Sequence, residues 1–212
     1  MNKRNRKVWL PLIVCVFTVI GGCFGTSPSS RFYTLSQRES RGSSADRVLD
    51  VLVKIGPVSI PSYIDRRQIV TRNGQNMLEI GEFERWGGSL DDEIIWLLVN
   101  DLSERLATRK VIVVPWRSIA LADAPKVYRI PFSIDRFDGE LGGTVVLKAS
   151  WGLVLKDGKQ EKVLVAREST IHEAVGGKGY DALVAAMGKA VGRLGEEMAD
   201  VILAAGGGEK PK

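Results

Sequence analysis

The stretch "TVVLKASWGLVLKDGKQEKVLVARESTIHEA", residues 144 to 174, decides the fold. Val145, Leu147, Ala149, Trp151, Leu153 and Leu155 fall at every second position, the period that puts side chains on one side of a strand. Asp157-Gly158 supplies the positive φ angles of a tight turn, so the stretch is predicted to be a β-hairpin with one apolar face. Such a face needs a covering layer, and the chain carries two candidates. From Ser89 onward Leu90, Ile94, Leu97, Leu98, Leu102 and Leu106 form one helical stripe, with Ser89 and Asp92 spaced as a capping box and Arg105, Arg109 and Lys110 at the negative end of the dipole. Tyr180, Leu183, Val184, Met187, Val191, Leu194, Met198 and Val201 form the second stripe.

The remaining apolar runs read as strands. "RFYTLS" is a short one near the N-terminus; "VLDVLVKIGPVSIPSYI" is β-branched and broken by Pro57 and Pro61. "RQIVTR" and "NMLEI" flank the turn signal "NGQ", and "VIVVP" has the look of a buried strand. In "KVYRIPFSID", Tyr128, Ile130, Phe132 and Ile134 alternate with polar or small residues, and Pro131 demands an edge or a bulge. The expected fold is α+β: a two-layer sandwich with a largely antiparallel sheet of about six strands and both long amphipathic helices on one face.

The chain has 212 residues, 44% of them apolar and 26% charged, in the range of a globular protein. Its net charge of +5 points at first to an acidic partner. Lys3, Arg4, Arg6 and Lys7 carry most of it; removing those four from the 30 basic residues leaves 26 against 25 acidic. No basic stripe interleaved with aromatics remains, so no nucleic-acid partner is expected.

The same N-terminus has the three parts of an export signal: basic "NKRNRK", apolar "VWLPLIVCVFTVI" at 8 to 20, and small Gly21-Gly22. Thirteen residues fall short of the about 20 needed to span a bilayer, although an uncleaved anchor is an alternative because residues 8 to 30 carry no charge. Ile20-Gly21-Gly22-Cys23 resembles the lipobox of bacterial lipoproteins, which implies cleavage before Cys23 and acylation of its thiol. Several acyl chains anchor stably where one is marginal. Phe24 stands where an Asp would favour inner-membrane retention, so the resemblance implies the outer membrane, periplasmic face. Cys15 would leave with the signal, so no disulfide within one mature chain is expected. The expected organisation is a signal peptide at 1–22, a lipidated N-terminus with a short first strand and tether at 23–47, a globular domain at 48–204 and a tail at 205–212.

Chemistry finds little support. One histidine, His172, and a cysteine expected to be acylated cannot assemble a Cys/His metal site, so neither a metal nor a cofactor is expected beyond covalent lipid on Cys23. His172 in "STIHEA" reads as a sheet-edge residue, and no G-x-S-x-G supplies a nucleophile. Asp91-Asp92 suits a helix's first turn, and "GGKG" at 176 to 179 lacks the rest of a phosphate loop. "GPVSIPSYIDRRQIVTR" and "FERWGGSLDDEI" look more specified than loops need to be. Trp86 there is either an exposed anchor or a lid folded onto the core.

In order along the chain, Cys23, "FYTL" at 32–35, "GPVSIPSYIDRRQIVTR" at 56–72, "ERW" at 84–86 with Leu90, Trp151-Gly152-Leu153 and "YDALVAAMGKAVGRL" at 180–194 resemble the ABC-type transport auxiliary lipoprotein family. The resemblance implies a non-enzymatic, outer-membrane-anchored periplasmic subunit of an MCE-type lipid-transport system, partnered by an MCE-domain protein and assembled as a ring-like homo-oligomer. The polar insert at 37–47 and the Gly/Lys-rich tail depart from it. An envelope lipoprotein that braces an outer-membrane assembly is the alternative. In the transport setting Pro61, Tyr63, Arg66, Arg85 and Trp86 form the expected partner-binding surface, unless the arginines merely pair with Asp65, Glu82 or Glu84.

Overall fold

The computed structural model describes residues 28–36, 52–106, 111–113 and 126–206. The signal segment, Cys23, the insert at 37–47, Arg109, Lys110 and the end of the tail lie outside the described residues. The elements are β1 (Arg31–Tyr33), β2 (Leu52–Ser59), β3 (Gln68–Asn73), β4 (Met77–Trp86), α1 (Leu90–Arg105), β5 (Val111–Val113), β6 (Lys126–Gly139), β7 (Thr144–Asp157), β8 (Gln160–Ala174) and α2 (Tyr180–Gly206).

The hairpin expected at 144–174 is β7 and β8, paired antiparallel from Thr144↔Ala174 to Asp157↔Gln160, with Gly158 at φ 58° in its turn. It forms one side of a five-stranded sheet of order β5-β2-β6-β7-β8. Val145, Leu147, Ala149, Trp151 and Leu153 all face inward and are buried. Over that face lie both helices: α2 packs on β6, β7 and β8, α1 on β2 and β5, and the two helices pack on each other. Their stripes meet the sheet through Ile94, Leu98 and Leu102 of α1 and Leu183, Val191, Leu194 and Met198 of α2, all fully buried. Side chains of this size each contribute about 1.5–3 kcal/mol on burial, which is why the stripes fix the layering.

The α+β layering with both helices on one face is thus as the periodicity predicts. The structure adds that, among the described residues, eight strands divide between two sheets. A three-stranded sheet of order β1-β4-β3 holds the N-terminal elements, with β3 and β4 antiparallel and β1 parallel to β4. In the large sheet, β2 pairs parallel with both β5 and β6, while β6, β7 and β8 are antiparallel.

Two irregularities shape the region of interest. Pro131 lies inside a central strand, where its missing N–H would normally leave a gap in the ladder. It sits opposite Gly56-Pro57, where β2 carries one extra residue between the pairs Ile55↔Ile130 and Val58↔Phe132, so the bulge reading of Pro131 holds. A second bulge inserts Asp135 between Ile134↔Ala149 and Arg136↔Lys148. Beyond it the alternation of β6 is reversed: Phe137 faces the core and Asp138 turns toward the small sheet.

The start of α1 departs from a capping box. Ser89 Oγ donates to Asp92 Oδ2 at 2.8 Å and makes no bond to the helix backbone. Glu93 does the reaching instead, accepting from the N–H groups of Gly88 at 3.2 Å and Leu35 at 2.6 Å. An acceptor there serves the neighbouring N-terminal segment as well as the helix.

Candidate functional site

The connection from β2 to β3 carries Pro61, Tyr63 and Arg66. The carbonyl of Pro61 accepts from the N–H of Ile64 at 3.1 Å and of Asp65 at 3.2 Å, a single helical turn begun by a residue whose φ is already fixed. Ile64 is buried and pins the turn, while Asp65, Arg66 and Arg67 are exposed. The end of β4 joins it from the other side: Arg85 lies across from Gln68, and the N–H of Trp86 donates to the carbonyl of Arg67 at 2.7 Å. All five residues of the expected surface are therefore gathered in one neighbourhood.

They are not equally presented. Trp86 is 2% exposed and belongs to the core, so the lid reading applies and its indole offers no outward apolar area. Tyr63 is half-buried and engaged below: its hydroxyl donates to Asp138 Oδ2 at 2.7 Å and accepts from the Phe137 N–H at 3.2 Å. Burial, with the Asp138 carboxylate next, pushes the phenol up to about 12. Arg66 faces solvent. Arg85 is half-buried, with Nε enclosed and without a hydrogen-bond partner. Of the three acids suggested for the arginines, Glu84 is held instead by Arg31 at 2.6 Å.

Asp138, which the sequence reading missed, is the centre of this arrangement. Its side chain is fully buried between the sheets. Arg72 of β3 grips it bidentately, Nε to Oδ1 at 2.8 Å and Nη2 to Oδ2 at 3.0 Å. Arg136 adds Nε at 3.1 Å and Nη2 at 2.9 Å, both to Oδ1. Burial alone would push this carboxyl up; the hydrogen bonds from Arg72, Arg136 and Tyr63 override it and hold it below the usual carboxylate range. A buried charge left unpaired is costly, so the cluster fixes the small sheet and its loop against β6. The available signal was "IDRFDG" at 134–139, where charged residues interrupt an apolar alternation.

The other candidates stand apart from this cluster. His172 is exposed on β8 opposite Val146, with neither a hydroxyl nor a carboxylate as cross-strand partner. Asp91 and Asp92 occupy the first turn of α1, and the glycines at 176–179 lead into α2. Among the described residues no cluster of His, Cys, Asp and Glu is placed to hold a metal ion, and no helix is long and apolar enough to cross a membrane.

What the geometry defines is an α+β domain in which a turn on one rim is locked from beneath by a buried ionic cluster. The chain belongs to the ABC-type transport auxiliary lipoprotein family, whose model matches residues 33–199. A search of curated proteins gives no match. Among solved structures, the chain is similar to a protein from Xanthomonas campestris, at 16% identity and a TM-score of 0.65 over 84% of this chain and 97% of the other. It is also similar to an uncharacterized protein at 19% identity and a TM-score of 0.62, over 82% of this chain and 99% of the other. At such identities these likenesses concern the fold alone.

Proposed function

We propose that this protein is a lipid-anchored, periplasm-facing subunit of an outer-membrane assembly that serves an MCE-type lipid transporter, acting by docking and not by catalysis. The observation that carries the reading is the match to an auxiliary lipoprotein family beginning at Tyr33, with a lipobox-like Cys23 ten residues ahead of it. In this reading Cys23 is acylated, the domain forms a ring-like homo-oligomer, and an MCE-domain protein meets the rim that carries the Pro61–Arg67 turn. Pro61, Arg66 and Arg85 supply the contact; Tyr63 and Trp86 act from behind by holding the turn in place.

The test has two arms. Radiolabelled palmitate should enter the wild-type protein and not a Cys23→Ala variant; equal labelling of both would remove the anchor. Cross-linking in cells should capture an MCE-domain protein; repeated failure, with the anchor intact, would remove the partner.

A further inference from the structure

The β3–β4 hairpin ends in an apolar tip that no described element covers. Met77 and Ile80 are each 52% exposed and Leu78 is 37% exposed. Leu78 and Ile80 share one side of β4, and Met77 lies on the other beside Glu79, so the apolar area is mainly on the Leu78 side. From Asn73 through Leu78 the sequence "NGQNML" carries no charge. Of the charged groups that flank it, Arg72 is committed to Asp138 and to the Gln75 carbonyl at 2.9 Å, and Glu79 accepts from Asn73 at 2.7 Å. A contiguous apolar patch of this kind marks an interaction surface.

The register of β1 says what lies next to it. Arg31, Phe32 and Tyr33 pair with Glu84, Arg85 and Trp86 in parallel, so the N-terminal end of β1 points the same way as the N-terminal end of β4, where the tip is. The hairpin reaches about 17 Å beyond that pairing, five steps of β3 from Gln68 to Asn73 at about 3.4 Å each. The eight residue steps from Arg31 back to Cys23 reach at most about 26–29 Å. The chain leading to the anchor and the apolar tip therefore leave the domain at the same end, over comparable distances.

We propose that the tip of the β3–β4 hairpin, Met77, Leu78 and Ile80, enters the headgroup and upper acyl region of the phospholipid leaflet that holds the Cys23 anchor. This rests on the acylation of Cys23 in the function proposed above. The hairpin then gives the domain a second attachment point and a fixed tilt on the membrane, where an acyl tether alone would leave it free to swing.

The experiment uses full-length lipoprotein purified from membranes and placed in vesicles of phosphatidylethanolamine and phosphatidylglycerol. With Cys15 removed and Cys23 acylated, a cysteine introduced as Leu78→Cys is the only free thiol and takes a nitroxide label; Ile80→Cys and Val163→Cys are labelled likewise. Val163, on β8, is an exposed apolar residue away from the tip. Labels at 78 and 80 are expected to collide more with oxygen and less with a water-soluble nickel chelate than the label at 163. If the protein floats with the vesicles while 78 and 80 collide as in water, the tip contact is overturned and the anchor stands. Low collision with both reagents, the sign of protein packing, overturns it in favour of a protein partner. Failure of the wild type to float overturns the anchor and this inference together.

Discussion

The hydroxyl of Tyr63 donates to Oδ2 of Asp138 at 2.7 Å while accepting the N–H of Phe137 at 3.2 Å, so one side chain joins the β2–β3 turn to β6. Tyr63→Phe keeps the ring and removes both bonds. It should cost about 1–3 kcal/mol, because the Phe137 N–H loses its acceptor as well. Urea unfolding measures the loss, and amide hydrogen exchange should show faster exchange at Ile64 and Asp65 than in the wild type.

Removing the acid itself is a larger injury. Asp138→Ala leaves the guanidinium of Arg72, and part of that of Arg136, facing each other without a counter-charge. The expected cost is about 3–5 kcal/mol, the range for breaking one side of a buried ion pair. The double variant Asp138→Leu/Arg72→Met should recover much of it, since the charge to be desolvated is then gone. Equal stability of Asp138→Ala and the wild type in urea would show that the cluster does not join the sheets.

Asp138 also sets an acid limit. Its folded pKa is depressed, so its contribution is fully present above the ordinary carboxylate value of about 3.9 and disappears as pH falls through the lower folded value. The gap in stability between the wild type and Asp138→Asn should be constant near neutrality and narrow below about pH 4. Tyr63 works in the opposite direction. Its raised folded pKa makes its contribution complete below the ordinary value of about 10 and lost as pH rises toward about 12.

Where α1 and α2 cross, Gly195 is fitted against Asp101. A Cβ at that position would lie 2.3 Å from Asp101 Oδ2. Gly195→Ala gains about 1 kcal/mol of helix propensity, but the overlap costs about 1–3 kcal/mol, and so close an approach to a buried carboxylate places it at the upper end. Net destabilisation in thermal or urea unfolding is expected, and the cost should shrink in an Asp101→Ala background, where the clashing atom is absent. The same cost in both backgrounds would mean that the carboxylate is not what limits the crossing.

Core and surface readings separate at two neighbouring positions. Trp86→Ala should lose about 3–5 kcal/mol as a core truncation, whereas Arg66→Ala should leave stability within about 0.5 kcal/mol. If the partner is the MCE-domain protein proposed above, Arg66→Ala should nevertheless reduce its cross-linking. Unchanged capture by Arg66→Glu, which reverses the charge, would exclude this turn from the contact.

Much of the fold is written in local periodicity. The β7–β8 hairpin carries its own turn in Asp157-Gly158, and the stripes from Leu90 and Tyr180 declare both helices and their inner faces. Parallel pairing of β2 with β5 and β6 has no such local mark, because partners distant in sequence are chosen by packing. The same holds for the division into two sheets. Asp138 was hidden because the extra residue Asp135 turns it to the face of β6 away from the core, and no local pattern says that the small sheet covers that face. Trp86 could be read as anchor or lid because its sequence context fits both; only burial decides.

The short β1 strand has a mechanical consequence. A pull on the N-terminal end of the chain runs along β1, so the pairs Arg31↔Glu84 to Tyr33↔Trp86 are loaded in shear and must yield together, instead of peeling one at a time. Behind them the Leu35 N–H on Glu93 and the Gly87 N–H on the Tyr33 carbonyl carry the remaining tension into α1 and the end of β4. Force arriving at that end is thus shared between the helical layer, through Glu93, and the rim turn, through the Trp86 N–H on the Arg67 carbonyl.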